Sequence, residues 1–282
     1  MSWPTIIIRG LVYLLLILII LSATFYLSLS LLTKPSNDRP WAKDMAELAS
    51  ATIDGNLVTL RNIRDIDYRS VTDYDLHYYD EVYDLDKIQA VYFFTDPFGA
   101  LSAHTMMGFE FSNGKKVVLS VEIRREVGEE FATWRGFLNQ YELIYVWAAE
   151  TDVLKLRTNY RLDTVYMYLN MSKENMTKLF SEAVNRTNEL YTQPEFYNVL
   201  LNNCTTNLIK QLQKVYNKRI IFNWRYLAPA YSEQLGLDYD LITGGRTIQE
   251  VRAKSNISSE ALKCGNLCFD YSQAIRKALG NL

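Results

Sequence analysis

The sequence predicts an α+β domain, an antiparallel sheet with helices packed on it, carried on one N-terminal transmembrane helix. Three observations lead there. Gly10 to Leu32 runs 23 residues without a charge. Between Ile88 and Leu169, short segments rich in β-branched and aromatic residues succeed one another. From Ser172 onward, apolar residues recur at helical spacing. A run of strands and then a run of helices is the pattern of an α+β fold.

The uncharged run spans about 34 Å at the rise of an α-helix, enough to cross the hydrocarbon core of a bilayer. A cleaved signal peptide is the competing reading, but the run is too long for an h-region and no small-residue cleavage site follows it cleanly. Residues 1–33 are therefore read as an anchor and 34–282 as the body. Arg9 lies on one side of the run and Lys34, Arg39 and Lys43 on the other. The orientation adopted has the N-terminus inside and the body outside, in a single pass. The body, roughly 240 residues, is long enough for one large domain with its own core. Net charge is only −2, with acids and bases interspersed. With no basic stripe, zinc spacing or phosphate-cradling glycine loop, nucleic acid, metal and cofactor all drop out of the expected partners.

Thr33 to Asn37 and Pro40 form a linker, Ala42 to Ala51 reads as helix, and Asn56 to Ile63 as strand. Asp65 to Asp86, crowded with Asp and Tyr around His77, lacks the spacing of a calcium loop and reads as solvated surface. Strands are expected at Ile88–Phe94, Ala103–Phe111, Lys116–Arg124, Glu142–Trp147 and Thr164–Leu169. Ser172 caps a helix to about Tyr191, Cys204 opens another to about Asn217, and Ile257–Leu279 is helical with a break near Gly265.

Cys204, in Asn202-Asn203-Cys204-Thr205-Thr206-Asn207, carries the chemistry. A helix N-terminus offers unpaired N–H groups and partial positive charge, which ease ionisation of a thiol. Asn203 is placed to cap, and Leu208, Ile209, Leu212, Val215 and Tyr216 form one apolar stripe that pins the helix. The alternative is a small buried thiol without chemistry. Of the three cysteines, Cys264 and Cys268 either pair or stay free; if they pair, Cys204 is the odd, reactive thiol.

The register of one hairpin aims a histidine. A two-residue Asn113-Gly114 turn mixes polar and apolar faces, whereas a three-residue loop, Ser112 to Gly114, pairs Phe109 with Val117 and Met107 with Leu119. That register sets His104 across from Glu122, a carboxylate able to orient the imidazole and stabilise its charged form. Cys204, His104 and Glu122 then make a thiol, a base and an orienting group. Otherwise Glu122 and His104 are ordinary surface residues.

The same residues carry a resemblance. AHT at 103–105, SVEIRRE at 120–126 with GEE after it, QYELIYV at 140–146, RTNYRLDTVYMY from Arg157, PEFYN at 194–198 and NNCTTN at 202–207 together look like the Lnb N-terminal periplasmic domain family, which includes bacterial lipoprotein N-acyltransferases. The likeness runs from about Trp41 to Arg276. It implies a papain-like thiol fold, similar to permuted thiol acyltransferases, with the family's Cys and His at Cys204 and His104 and its acidic position at Glu122. Family members with lipoprotein activity carry more transmembrane segments than the one found here.

The activity this resemblance implies is acyl transfer at the bacterial inner membrane, with the catalytic domain in the periplasm. Cys204 takes an acyl chain from a phospholipid, and the α-amino group of a diacylglyceryl lipoprotein receives it. The backbone N–H of Cys204 is the expected oxyanion donor, with Tyr141 or Gln140 beside it. Arg124, Arg125 and Arg135 are candidates for holding the lipid phosphate, their alternative being ion pairs with Glu126, Glu129 or Glu130. The rival functions are a thiol hydrolase (phospholipase, peptidase or peptidoglycan amidase) on the same triad, and an inactive membrane-tethered binding module.

Overall fold

The computed structural model describes residues 3–169, 171–216, 225, 228–242 and 244–279. Helix α1 (Trp3–Leu32) leads the chain. Its segment Ile6–Tyr26 is apolar and long enough to cross a membrane, and none of it is buried against the body. Buried helices of soluble cores hide such a surface; this one does not.

Among the described residues, nine strands form one mostly antiparallel sheet. Strands β1 (Ser50–Asp54), β2 (Leu57–Tyr68), β3 (Tyr74–Asp84), β4 (Ile88–Pro97), β5 (Ala103–Phe111) and β6 (Lys116–Arg124) come first. Next are a short helix α2 (Thr133–Phe137), β7 (Tyr141–Ala148), helix α3 (Glu150–Lys155) with a π-turn over Leu156–Arg161, and β8 (Tyr166–Leu169). The order across the sheet is β1-β2-β7-β6-β5-β4-β8, with β3 on β2 and the two-residue β9 (Phe196–Tyr197) on β7. Helices α4 (Lys173–Thr192) and α5 (Cys204–Tyr216) flank β9 in the chain, and α6 (Ser232–Asp238), α7 (Ile248–Ser255), α8 (Ser258–Cys264) and α9 (Tyr271–Arg276) come last. The predicted end of α5, Asn217, lies outside the described residues.

Both faces of the sheet are covered. Phe109, Phe111 and Trp147 pack with Phe180 of α4 and Leu208 of α5, while Met106, Val118 and Ile144 pack with Leu154, Ile257 and Ile275. This explains why the central strand β7 is buried at every position and reads as an apolar run from Leu143 to Ala148. Gly108 on β5 is required by close approach, since a Cβ there would lie 2.6 Å from the Phe94 ring.

The hairpin register is the expected one. Phe109 pairs with Val117, Met107 with Leu119 and Glu110 with Lys116. The three-residue loop closes through Phe111 N–H to Lys115 O at 2.9 Å, with Gly114 at φ +87°, where a side chain is strained. Ser172 caps α4, and the C-terminal helical segment breaks at Gly265. Cys264 and Cys268 form a disulfide, which leaves Cys204 as the free thiol.

One expectation fails. Ala42–Ala51 is not a helix: only a 3-10 turn forms at Lys43–Met45, and Ser50–Asp54 is drawn into pairing with β2, tertiary pairing overriding local propensity. Asp65–Asp86 is solvated surface as expected, organised as the end of β2 and the whole of β3. Because β3 pairs only with β2 and turns many side chains to solvent, its charges suit an edge strand.

Candidate active site

His104 stands at the second position of β5, and β6 beside it carries Ser120 and Glu122. Nε2 of His104 lies 3.2 Å from Glu122 Oε1 and 2.7 Å from Ser120 Oγ. Ser120 Oγ donates to the same Glu122 oxygen at 2.6 Å. The hydroxyl therefore accepts from the ring and passes the hydrogen bond to the carboxylate. Nε2 is thereby occupied, leaving Nδ1 as the ring nitrogen for another partner.

That partner arrives on α5. Asn203 Oδ1 accepts from Thr206 N–H at 2.9 Å, and the Asn203 N–H donates to Thr206 Oγ1 at 2.8 Å, a reciprocal cap that starts the helix at Cys204. Thr205 Oγ1 lies 3.3 Å from Thr105 Oγ1, fastening the helix start to β5. The thiol is 3 % exposed and lies 3.9 Å from the Ala103 carbonyl oxygen. Burial alone pushes it up, but the hydrogen bond and charge of His104 overrule this and bring it down to about 7. Burial likewise pulls His104 down, yet the Glu122 carboxylate raises it to about 9. Glu122, against the cost of burial, is held well below the usual carboxylate range by His104 and Arg157. The thiol is shifted down and the imidazole up, the directions that favour passing a proton from Cys204 to His104.

Residues without a signal in the sequence complete the arrangement. Arg157, on the π-turn, places Nη2 3.4 Å from Glu122 Oε1 and Nε 3.2 Å from Asp96 Oδ2. Asp96 is buried and pairs with His104 across the β4–β5 ladder. Burial raises the Asp96 carboxyl while Arg157 lowers it. The Tyr197 hydroxyl meets the backbone amide of Cys204; burial and the nearby Cys204 and Glu122 charges hold its pKa well above normal, so it keeps its proton. Tyr197 sits in PEFYN and Arg157 begins RTNYR, so both lie inside motifs of the sequence, but neither residue carries a spacing that announces a role.

Residues 74–230 match the Lnb N-terminal periplasmic domain, a span that holds His104, Ser120, Glu122, Arg157, Tyr197 and Cys204. The chain belongs to this family. No curated protein and no solved structure matches it. A family described as periplasmic, preceded by one span able to cross a membrane, fits a single-pass protein with its Lnb domain in the periplasm.

Near the thiol, this Lnb domain has a mostly apolar pocket that opens to solvent. Thr205, Leu208, Ile209 and Leu212 of α5 form one wall, with Phe93, Met107 and Leu235 among the others. Thr205 Oγ1 is 4.0 Å from Cys204 Sγ, so the wall begins next to the sulfur.

The other expected substrate contacts lie elsewhere. Arg124 is 1 % exposed, donates to the carbonyls of Met45 and Ala46 and stacks 4.1 Å over the Trp41 ring, so it clamps the N-terminal segment and faces no ligand. Arg125 pairs with Asp44 at 3.1 Å. Arg135 pairs with Glu129 and with Gln140 Oε1 at 3.1 Å, which engages Gln140 too. Tyr141 is fully buried, donating to Glu130 O and accepting from Ala132 N–H. Arg124 and Tyr141 are thus buried among partners of the body itself, while Arg125 and Arg135 are held in ion pairs, the alternative the sequence left open for them.

Proposed function

We propose that this protein is a thiol acyltransferase of the bacterial inner membrane, with a papain-like arrangement of Cys204, His104 and Glu122 facing the periplasm. It moves an acyl chain from a phospholipid to the α-amino group of a diacylglyceryl lipoprotein. The observation that carries the reading is the mostly apolar pocket whose wall on α5 begins at Thr205, the residue after the nucleophile. A peptidase or amidase needs a polar cleft instead.

The Cys204 thiolate attacks the ester carbonyl carbon, forming a C–S bond. As the tetrahedral intermediate collapses, the C–O bond to glycerol breaks and the His104 imidazolium gives its proton to the departing alkoxide, releasing lysophospholipid. The lipoprotein amine then attacks the thioester, His104 takes a proton from that amine, and the C–S bond breaks to restore the thiolate. Ser120 and Glu122 hold Nε2 throughout, so Nδ1 does the transfers. The protonated Tyr197 hydroxyl, which accepts from the Cys204 N–H, is the donor assigned to the oxyanion.

Purified full-length protein is given phospholipid vesicles and a diacylated lipopeptide. Equal amounts of triacylated lipopeptide and lysophospholipid are expected. Lysophospholipid with free fatty acid and no N-acylated peptide makes the enzyme a lipase; no lipid product overturns the lipid reading.

A further inference from the structure

The loop between β6 and β7 carries an unusual exposure of large apolar side chains. Val127, Phe131, Trp134 and Phe137 are all exposed, Trp134 to 60 %, and Leu201 joins them at 65 %. Leu201 belongs to the same surface because its loop is bonded to this one: Val199 N–H donates to Gly136 O at 3.3 Å, and Asn198 Nδ2 to Phe137 O at 3.3 Å. Soluble domains seldom leave such a group of aromatics in water.

Its position says what covers it. Asn139 donates to the Tyr26 hydroxyl at 3.4 Å, and Tyr26 ends the apolar span Ile6–Tyr26, the depth at which a spanning helix meets headgroups. The linker after α1 is fastened to the start of the same loop, Val127 N–H donating to Pro40 O at 2.8 Å and Arg39 pairing with Glu126 at 3.1 Å. The patch is thus continuous with the place where the chain leaves the membrane, and Trp and Phe are the residues that settle at that level.

We infer that Val127, Phe131, Trp134, Phe137 and Leu201 form a second membrane contact, dipping into the interface of the bilayer that α1 crosses, on the side of the body. The contact is linked to the thiol loop. Asn139, bonded to Tyr26, also accepts from Asn198 Nδ2 at 2.8 Å, and Asn198 pairs with Asn202, two residues before Cys204. Docking therefore fixes the segment that leads into the nucleophile at a set height above the lipid. This contact is separate from the chemistry assigned to Cys204 and does not depend on it.

The test uses the full chain in phosphatidylethanolamine–phosphatidylglycerol vesicles, with and without a phospholipid brominated high on its acyl chains. Subtracting the emission of Trp134→Phe from that of the native protein isolates Trp134, the other four of five tryptophans being common to both. The Trp134 emission should be quenched by the brominated lipid and protected from aqueous iodide. Quenching by iodide alone puts the patch in water, and quenching by neither puts it against protein, as in a dimer; both overturn the inference. Because no turnover is measured, its failure and that of the acyltransfer reading are separable.

Discussion

Ser120 Oγ lies 2.7 Å from His104 Nε2 and bridges it to Glu122. The bridge gives the imidazole two fixed partners on one side, which orients the opposite nitrogen toward the thiol on α5. A histidine held this way needs no rearrangement before taking or giving a proton.

Ser120→Ala should weaken orientation without removing charge. The direct His104–Glu122 contact at 3.2 Å remains, so acyl transfer is expected to fall about tenfold, the loss of one buried hydrogen bond. Thiol alkylation by iodoacetamide should keep nearly its native pH dependence. A thousandfold loss would make Ser120 a direct participant.

The pH profile is set by the two shifts. The reactive pair requires Cys204 ionised, which pH brings about through about 7, and His104 protonated, which pH removes through about 9. Transfer should therefore trace a bell between those limbs. In Glu122→Gln the carboxylate that raises His104 is gone, so the alkaline limb should move toward neutral and kcat should fall. A limb that stays in place would remove Glu122 from the site. The sign for stability is the same: His104 contributes fully below its ordinary value of 6.5, and the contribution is lost as pH rises through about 9.

Arg157 sits between two carboxylates, Asp96 and Glu122. Arg157→Met leaves the buried Asp96 without its ion-pair partner and Glu122 with the His104 ion pair alone, and should destabilise the fold by about 3 kcal/mol, read as a lowered midpoint in denaturant. Adding Asp96→Asn should recover part of that loss; no recovery means that Arg157 acts through packing.

Leu212→Trp narrows the apolar pocket. Transfer of long acyl chains should drop at least about tenfold, while short-chain esters and iodoacetamide alkylation of Cys204 stay near native rates. An equal loss with every chain length would place the acyl group elsewhere.

What the sequence disclosed and what it hid divide by range. The β5–β6 hairpin was readable because face matching and a Gly at φ +87° leave one register, and the start of α5 because Asn203 is a strong cap. Those local rules aimed both His104 and Cys204. Ser120, Arg157 and Tyr197 were hidden because their roles exist only once separate elements meet; Ser120 reads as one polar position on a strand. Arg124 misled for the opposite reason. A basic run looks like a ligand surface, and nothing local says that Met45, Ala46 and Trp41 will wrap the guanidinium. The Ala42–Ala51 segment was misread because pairing of Ser50–Asp54 with β2 decides it.

Cys204 as the carrier of the acyl group can be weighed directly. The full-length protein, incubated with phospholipid and no amine acceptor, is digested under acid conditions that preserve thioesters, and the Cys204 peptide is measured by mass spectrometry. This peptide should gain the mass of one acyl chain, lose it when a diacylated lipopeptide is added, and never gain it in His104→Ala. An unmodified Cys204 peptide, with transfer persisting in Cys204→Ser, would contradict the assignment.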